Sequence, residues 1–519
     1  MSTSATTTRT DRFLAQIERV GNKLPEPFAL FLILFGLVAL VSSVMAWAGV
    51  TVQMPDSDEV RQINGLFTAE GLTWLTENLG ANYIGFPPLV TVLPILLAVG
   101  VAEKSGLLSG VIRAFFGSAP RWALPYAVGV VGVAGNVMSD TAFVVIPPLA
   151  AMVFRAAGRH PVAGLLGGFA AAGAGYSTNF LVTSIDALFA GITDGVVGIL
   201  SDPGAPVTPV SNWWYNIVSA LFLAAVAGFL IDKVLEPRLV RQGVSVDRLD
   251  DGADEGGDEL TADSTPRERR ALVVALIALA VTAAALAAAV LVPGSPWRNE
   301  DGGYLPSSPL LDSIVFLVFT LFIVPGIAYG VVVRTITTFE DVPKMFGQAL
   351  QDMLGFLVVA FILGQFIALF TWTEVGSWIA VAGASFLESI NMTGYGAILG
   401  FLVLASVLNL FIISGSSLWT IMAAVFVPMF ALIGYEPAFT QAAFRVGDSA
   451  TQIITPLNPY MVVLLAYLRR WEPEAGLGSV MARLLPFTVC FWLVWAAILT
   501  VFFVFDLPIG PGNGIFLEG

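Results

Sequence analysis

From residue 28 onward this 519-residue sequence is a succession of apolar runs. Many are as long as the ~20 residues a helix needs to cross a hydrocarbon layer about 30 Å thick. In such a solvent every backbone amide and carbonyl must be paired within the protein, which leaves spanning helices or a closed barrel, and runs of this length are helical. With 56% hydrophobic and 12% charged residues, the expected fold is an all-α polytopic membrane protein. Residues 1–27 are polar and mixed in charge, without the short apolar core of a cleavable leader. No leader peptide is therefore predicted, and residues 28–50 are expected to stay as the first membrane helix. Cys490 is the single cysteine, which excludes an intrachain disulfide and any multi-cysteine metal site.

The net charge of -14 is concentrated in residues 247–263, a Gly-containing acidic run with almost no large apolar side chain. It reads as a solvated, disordered stretch within a cytoplasmic linker, 236–270. That linker divides the chain into membrane halves at 28–235 and 271–506, preceded by a cytoplasmic segment 1–27 and followed by an extracytoplasmic tail, 507–519. Placing Lys and Arg on the cytoplasmic side puts the N-terminus inside and the C-terminus outside. Only Arg61 and Arg298 then fall outside, and only Arg445 lies within the membrane. The crossings run near 28–50, 83–104, 162–200, 214–232, 271–292, 311–333, 351–371, 438–468 and 484–505.

Two remaining stretches, about 122–154 and 396–434, carry polar centres: Gly135-Asn-Val-Met-Ser-Asp-Thr141 and Ser414-Gly-Ser-Ser417. A simple crossing would leave those centres in lipid, so both stretches are expected as re-entrant hairpins, giving nine transmembrane helices plus two hairpins. An internal repeat supports this organisation. Gly175-Tyr-Ser-Thr-Asn-Phe-Leu-Val-Thr-Ser-Ile-Asp186 aligns without gaps on Gly447-Asp-Ser-Ala-Thr-Gln-Ile-Ile-Thr-Pro-Leu-Asn458, each copy downstream of one hairpin and in opposite orientation. Hairpin plus polar-interrupted helix, twice and inverted, is the pattern of secondary transporters.

Broken helices at membrane depth free carbonyls and hydroxyls for a small cation and turn helix N-termini toward an anion. A first half-site is expected from Asn136, Ser139, Asp140 and Thr141 with Ser177, Thr178, Asn179 and Asp186. A second is expected from Ser414, Ser416, Ser417, Trp419 and Thr420 with Arg445, Asp448, Ser449, Thr451, Thr455 and Asn458. The hydroxyls and amides Asn136, Ser139, Thr141, Ser177, Ser416, Ser417, Ser449, Thr455 and Asn458, with Asp140, are the candidate sodium ligands.

Each has a structural reading beside the functional one. Membrane Ser and Thr commonly bond a neighbouring backbone. Arg445 and Asp448, three apart, either neutralise each other or divide the work, Arg445 taking a substrate carboxylate in its planar fork and Asp448 orienting it or carrying a coupling ion or proton. Asp186 has no basic neighbour in sequence and is expected to be protonated or ion-coupled. Asp140 either caps a half-helix or binds. Trp419 is either an aromatic wall or packing, and Pro428, Pro437 and Pro456 shape helices.

These motifs, with Glu18-Arg-Val-Gly-Asn-Lys-Leu-Pro-Glu-Pro27, Phe444-Arg-Val-Gly-Asp-Ser449 and Ile454-Thr-Pro-Leu-Asn-Pro459, resemble the p-aminobenzoyl-glutamate transporter (AbgT) family over nearly the full length. The resemblance implies a bowl-shaped homodimer in the cytoplasmic (inner) membrane, with nine helices and two hairpins per protomer. It also implies cation-coupled handling of p-aminobenzoyl-glutamate, p-aminobenzoate or related aromatics, sulfonamides among them. Functional positions would fall on Asp186, Trp419, Pro437, Arg445, Asp448 and Pro456, which with Asn179 make up the expected substrate site. No cofactor is expected, though sodium is admitted as a coupling ion, and no nucleic-acid partner is expected.

Other classes fit less well. His160 is the only histidine and lies in a basic loop, and no His-Glu-x-x-His occurs, so an intramembrane enzyme lacks its chemistry. A channel would need a continuous pore rather than inverted broken helices. A sodium-coupled dicarboxylate transporter is the nearer alternative, separable by whether an aromatic ring is required for competition.

Overall fold

A computed structural model describes residues 25–53, 60–200, 203–246 and 265–517. The acidic run 247–263 and the polar segment before residue 25 lie outside the described residues.

Helices dominate, and seven spans among the described residues are long and apolar enough to cross a membrane. The first half contains α1 (Pro27–Trp47), α2 (Ala69–Ile84), α3 (Pro87–Lys104), α4 (Leu107–Ser118), α5 (Leu124–Gly135), α6 (Thr141–Ala156), α7 (Pro161–Ala174), α8 (Ser184–Val197), α9 (Trp213–Phe229) and α10 (Glu236–Arg241). The second contains α11 (Pro266–Leu291), α12 (Pro309–Asp312), α13 (Ile314–Val333), α14 (Asp341–Asp352), α15 (Leu354–Trp372), α16 (Val375–Ser389), α17 (Tyr395–Asn409), α18 (Gly415–Ala431), α19 (Pro437–Gln452), α20 (Pro459–Leu468) and α21 (Leu477–Val504). Proline opens α1, α3, α7, α19 and α20, where its missing N–H costs nothing and its φ suits the first turn.

Several sequence expectations shift. The crossing placed at 83–104 begins earlier, at Ala69, with a turn before Pro87. The linker boundaries move inward: the helix from Trp213 continues through a π-helical stretch, Leu230–Leu235, to Arg241, and the next begins at Pro266 under a Thr265–Glu268 capping box. Helices α14 and α16 were not foreseen. A short antiparallel ribbon, β1 (Thr51–Gln53) with β2 (Val60–Gln62), departs from an all-α description.

The two polar-centred stretches are each two helices joined by a break. In the first, α5 and α6 flank a 3-10 turn at Asn136–Met138 and a positive φ of 50° at Ser139. In the second, α17 and α18 flank residues 410–414. The crossings expected at 162–200 and 438–468 are likewise interrupted, into α7 with α8 and α19 with α20.

The repeat has a physical basis position by position. A Cβ at Gly175 would lie 2.4 Å from the Val133 carbonyl oxygen, and one at Gly447 would lie 2.6 Å from the Ala405 Cβ. Each repeat therefore opens with a glycine because its helix presses on the first helix of its own hairpin unit, where only a missing side chain permits that approach. The third positions, Ser177 and Ser449, hydrogen-bond to each other across the two halves. The last positions both cap the helix after the break: Asp186 closes a capping box with Thr183 on α8, and Asn458 accepts from the Tyr460 amide on α20.

The C-terminal tail packs rather than trailing. Ile509 and Ile515 are fully buried. The Ile509 carbonyl accepts from Tyr215 N at 3.0 Å, the Ile515 carbonyl accepts from Glu436 N at 2.9 Å, and Phe516 stacks on Tyr435.

Candidate functional site

The breaks bring the polar residues of both halves into two adjoining zones. In the sealed zone, Arg445 on α19 is 1% exposed. Its Nη1 donates to Asp186 Oδ1 at 2.8 Å and to the Ser177 carbonyl at 2.6 Å, and its Nε donates to Asn212 Oδ1 at 3.0 Å. With the Gln441 carboxamide oxygen turned toward it, Nη2 has a further acceptor at 3.1 Å. The guanidinium lies over the Phe189 ring, 5.2 Å from its centre.

Asp186 is equally well provided. Its Oδ2 accepts from Thr183 N and Oγ1, and Asn216 Nδ2 donates to Oδ1 at 3.0 Å. Asp186, without a basic neighbour in sequence, has one in the fold: its partner is Arg445, 259 residues away. The local Arg445–Asp448 pair is corrected, because Arg445 turns to the other half.

Asp448 faces elsewhere. It is fully buried, and neither carboxylate oxygen has a hydrogen-bond partner among the described residues. A Cβ at Gly415 would lie 3.1 Å from Asp448 Oδ2, so the carboxylate abuts the first turn of α18. Asn409, which the sequence reading passed over, donates to the Asp448 carbonyl and to Thr451 Oγ1, while its own Oδ1 lacks a partner. Asn136 repeats this in the first half, donating to the Ala172 carbonyl at 2.6 Å with an unpartnered Oδ1. Both polar turns thus carry a buried oxygen acceptor without a donor among the described residues.

Trp419 is packing here, not a wall. It is fully buried, its Nε1 donates to the Phe189 carbonyl at 3.2 Å and Thr193 Oγ1 at 3.1 Å, and its ring meets Phe444 at 4.6 Å. Asn179 spends its amide on the Val133 and Ala134 carbonyls. Pro437 starts α19, Pro456 lies in the turn between α19 and α20, and Thr455 donates to the Leu410 carbonyl.

The open zone is a cavity of about 750 Å³, lined in part by both polar turns and by residues at the broken helices. Ser139, Asp140, Thr141, Ser416, Ser417 and Asn458 of the candidate set are in its wall. Asp186, Trp419, Arg445, Asp448, Asn179, Pro437 and Pro456 are not, nor are Asn136, Ser177, Ser449 and Thr455. Among the described residues the wall holds the carboxylates of Glu26, Glu103, Asp140 and Asp352 and no Lys or Arg.

Most wall groups are paired with each other. Ser139 bonds Ser184 at 3.0 Å, Thr141 donates to Glu103 at 3.2 Å, Ser416 and Ser417 bond Ser414, and Asp140 bonds the Tyr460 hydroxyl. The N-termini of α6, α8, α18 and α20 supply residues of the wall, and unpaired first-turn amides favour negative charge. A cavity of this size suits a small organic ligand.

Sequence reasoning also missed Asn212, Asn216 and Gln441, which complete the Arg445 cluster. Asn216, a polar side chain inside the otherwise apolar 213–229 helix, carried the available signal.

The profile of the AbgT putative transporter family matches residues 12–517. The chain is 34% identical over 513 residues to the p-aminobenzoyl-glutamate transport protein of Escherichia coli (strain K12), covering 99% of this chain and 98% of that protein. Among solved structures it is similar to the Alcanivorax borkumensis YdaH transporter, described as having an unusual topology, with a TM-score of 0.86, 35% identity, and 94% of this chain and 100% of that one covered. It is also similar to Neisseria gonorrhoeae MtrF, described as illuminating a class of antimetabolite efflux pumps, with a TM-score of 0.89, 35% identity, and 97% and 100% covered.

Proposed function

The chain belongs to the AbgT putative transporter family and is a multi-pass membrane transporter, and from that premise we propose that it is a cation-coupled secondary carrier of p-aminobenzoyl-glutamate, p-aminobenzoate or related aromatic carboxylates, sulfonamides among them. The observation that carries this reading is the cavity at the junction of both polar turns and both broken helices. Its half-helix N-termini and hydroxyls suit a carboxylate, and its apolar wall, including Phe356, Phe411 and Leu188, suits a ring.

The same reading holds the two polar-centred stretches to be re-entrant hairpins beside nine transmembrane helices, in a homodimer of the cytoplasmic membrane with the N-terminus inside. The distribution of Lys and Arg supports that orientation. The cavity then faces the cytoplasm, since its wall includes Glu26 at the start of α1, Glu103 beside Lys104, and Asp352.

Arg445 takes a substrate carboxylate only by exchanging it for that of Asp186, which is chemically the same partner. Binding and the movement of one half against the other are thereby linked through a single guanidinium, with Asn212, Gln441 and Phe189 around it. Sodium fits the buried oxygens that lack donors among the described residues: Asp448 and Asn409 in the second half and Asn136 in the first are hard ligands of the type a small cation selects, with Ser449 next to Asp448 and hydrogen-bonded to Ser177, and Ser416 and Ser417 following Gly415, on which Asp448 abuts.

Flux of p-aminobenzoyl-glutamate and p-aminobenzoate in proteoliposomes, under imposed sodium and proton gradients of each sign, tests the reading. Expected is flux of both that reverses with the sign of one gradient. Flux of neither under any gradient overturns it. Competition by aliphatic dicarboxylates as strong as by aromatic ones would favour the dicarboxylate carrier instead.

A further inference from the structure

Gln452 is the last residue of α19 and stands in the cavity wall, yet it is only 5% exposed. Its backbone carbonyl accepts from Asn458 Nδ2 at 3.2 Å, while its side-chain Oε1 has no hydrogen-bond partner among the described residues. The hydroxyls and carboxylates around it are different, because the wall's Ser139, Thr141, Asp140 and Ser416 already have protein partners. A buried acceptor left without a donor costs about 1–3 kcal/mol, and a terminal carboxamide turns readily about its last torsion to present its oxygen or its nitrogen.

The position has a polarity as well. Gln452 ends its helix, where the unpaired carbonyls carry partial negative charge, whereas Ser416, Ser417 and Asn458 lie at the starts of α18 and α20, where the sign is opposite. A ligand with a carboxylate at one end and an N–H at the other has one orientation that suits both. The carboxylate goes to the starts of α18 and α20, and the N–H goes to Gln452.

We propose that Gln452 is a specificity-determining residue of this cavity, its carboxamide oxygen accepting a hydrogen bond from an N–H carried on the aromatic ring of the ligand. This rests on the aromatic-carboxylate reading above and narrows it to arylamines. A neutral acceptor suits a neutral amine without requiring a charge on either partner.

The test compares p-aminobenzoate with benzoate, which differ only in that amine, as competitors on full-length protein in proteoliposomes. Wild type should prefer p-aminobenzoate by about tenfold or more, the range expected where an analogue leaves a polar group unpaired. Gln452→Met, similar in length and without an acceptor, should bring the ratio close to one by weakening p-aminobenzoate alone, with retained benzoate competition showing that the protein is folded. Gln452→Glu keeps an acceptor and should keep the preference.

Equal weakening of both ligands by Gln452→Met, or no change in the ratio, overturns the assignment. If that variant binds neither ligand, Gln452→Glu decides, and loss of its preference is the overturning result. Wild type that recognises neither compound instead overturns the aromatic-carboxylate reading, and this assignment with it.

Discussion

The sealed zone around Arg445 and the open cavity beside it are built on the same broken helices, yet they solve opposite problems. In the first, one cation and one carboxylate from different halves satisfy each other, with Asn212, Asn216, Thr183 and the Ser177 carbonyl taking up the remaining capacity. In the second, no described residue of the wall is Lys or Arg, and Gln452 retains an acceptor without a partner among the described residues. The lesson is that the most conspicuous intramembrane charge need not mark where a ligand first rests. A charge is kept at membrane depth when it has a partner, and here the partner is the protein itself.

Breaking the pair should produce the largest effect on that contrast. Arg445→Ala or Asp186→Ala leaves one buried charge uncompensated, at a cost of about 3–5 kcal/mol, read as a drop in melting temperature of purified protein. The double variant should recover much of that stability but not transport. Single variants that melt like wild type would show that the zone is not sealed.

Gly415→Ala probes the boundary between the zones. The added methyl would sit 3.0 Å from the Tyr176 hydroxyl and 3.1 Å from Asp448 Oδ2, and overpacking of that kind costs about 1–3 kcal/mol. Transport should fall more than stability, because the start of α18 is displaced from Asp448. Unimpaired flux would mean that this contact is slack.

Trp419→Phe keeps the ring against Phe444 and removes the donor to the Phe189 carbonyl and Thr193 Oγ1. A loss of about 1 kcal/mol with substrate selectivity unchanged is expected. Altered selectivity would move Trp419 into the ligand site.

The smallest effect should come from His160, in the loop between α6 and α7 and in neither the cavity wall nor the Arg445 cluster. Burial holds its imidazole below the ordinary pKa. Arg483 adds to that effect, while the Val244 carbonyl, Glu236 and Glu472 oppose it. The folded protein thus binds this proton less readily than the unfolded chain, so the stability contributed is present above about pH 6.5 and declines as pH falls below it. A melting-temperature profile between pH 5 and 8 should lose that component in His160→Gln.

The breaks, the repeat and the identity of the polar positions were legible in the sequence because Gly, Ser, Thr and Asn are conspicuous in apolar surroundings. Even the glycines at positions 175 and 447 follow from one rule of close helix approach. What was not legible was pairing. Asp186 and Arg445 meet through tertiary packing that no local spacing encodes, and the third contributor, Asn212, lies at the start of a helix that otherwise looks like an ordinary crossing. Trp419 illustrates the same limit, since an indole beside a polar turn reads alike whether it faces a cavity or a carbonyl. The pocket-lining role of Gln452 was equally hidden, because a glutamine ending a helix carries no signal of what its amide lacks.

The folded-back C-terminus constrains how such a molecule moves. Residues 509–516 are stitched to Tyr215 at the head of α9 and to Glu436 just before α19, so one strap joins the two halves at that end. Any excursion prising α9 from α19 there must tear main-chain bonds and unstack Tyr435 from Phe516. The strap is therefore a natural fulcrum, and clipping the last dozen residues should loosen the machine rather than merely shorten it.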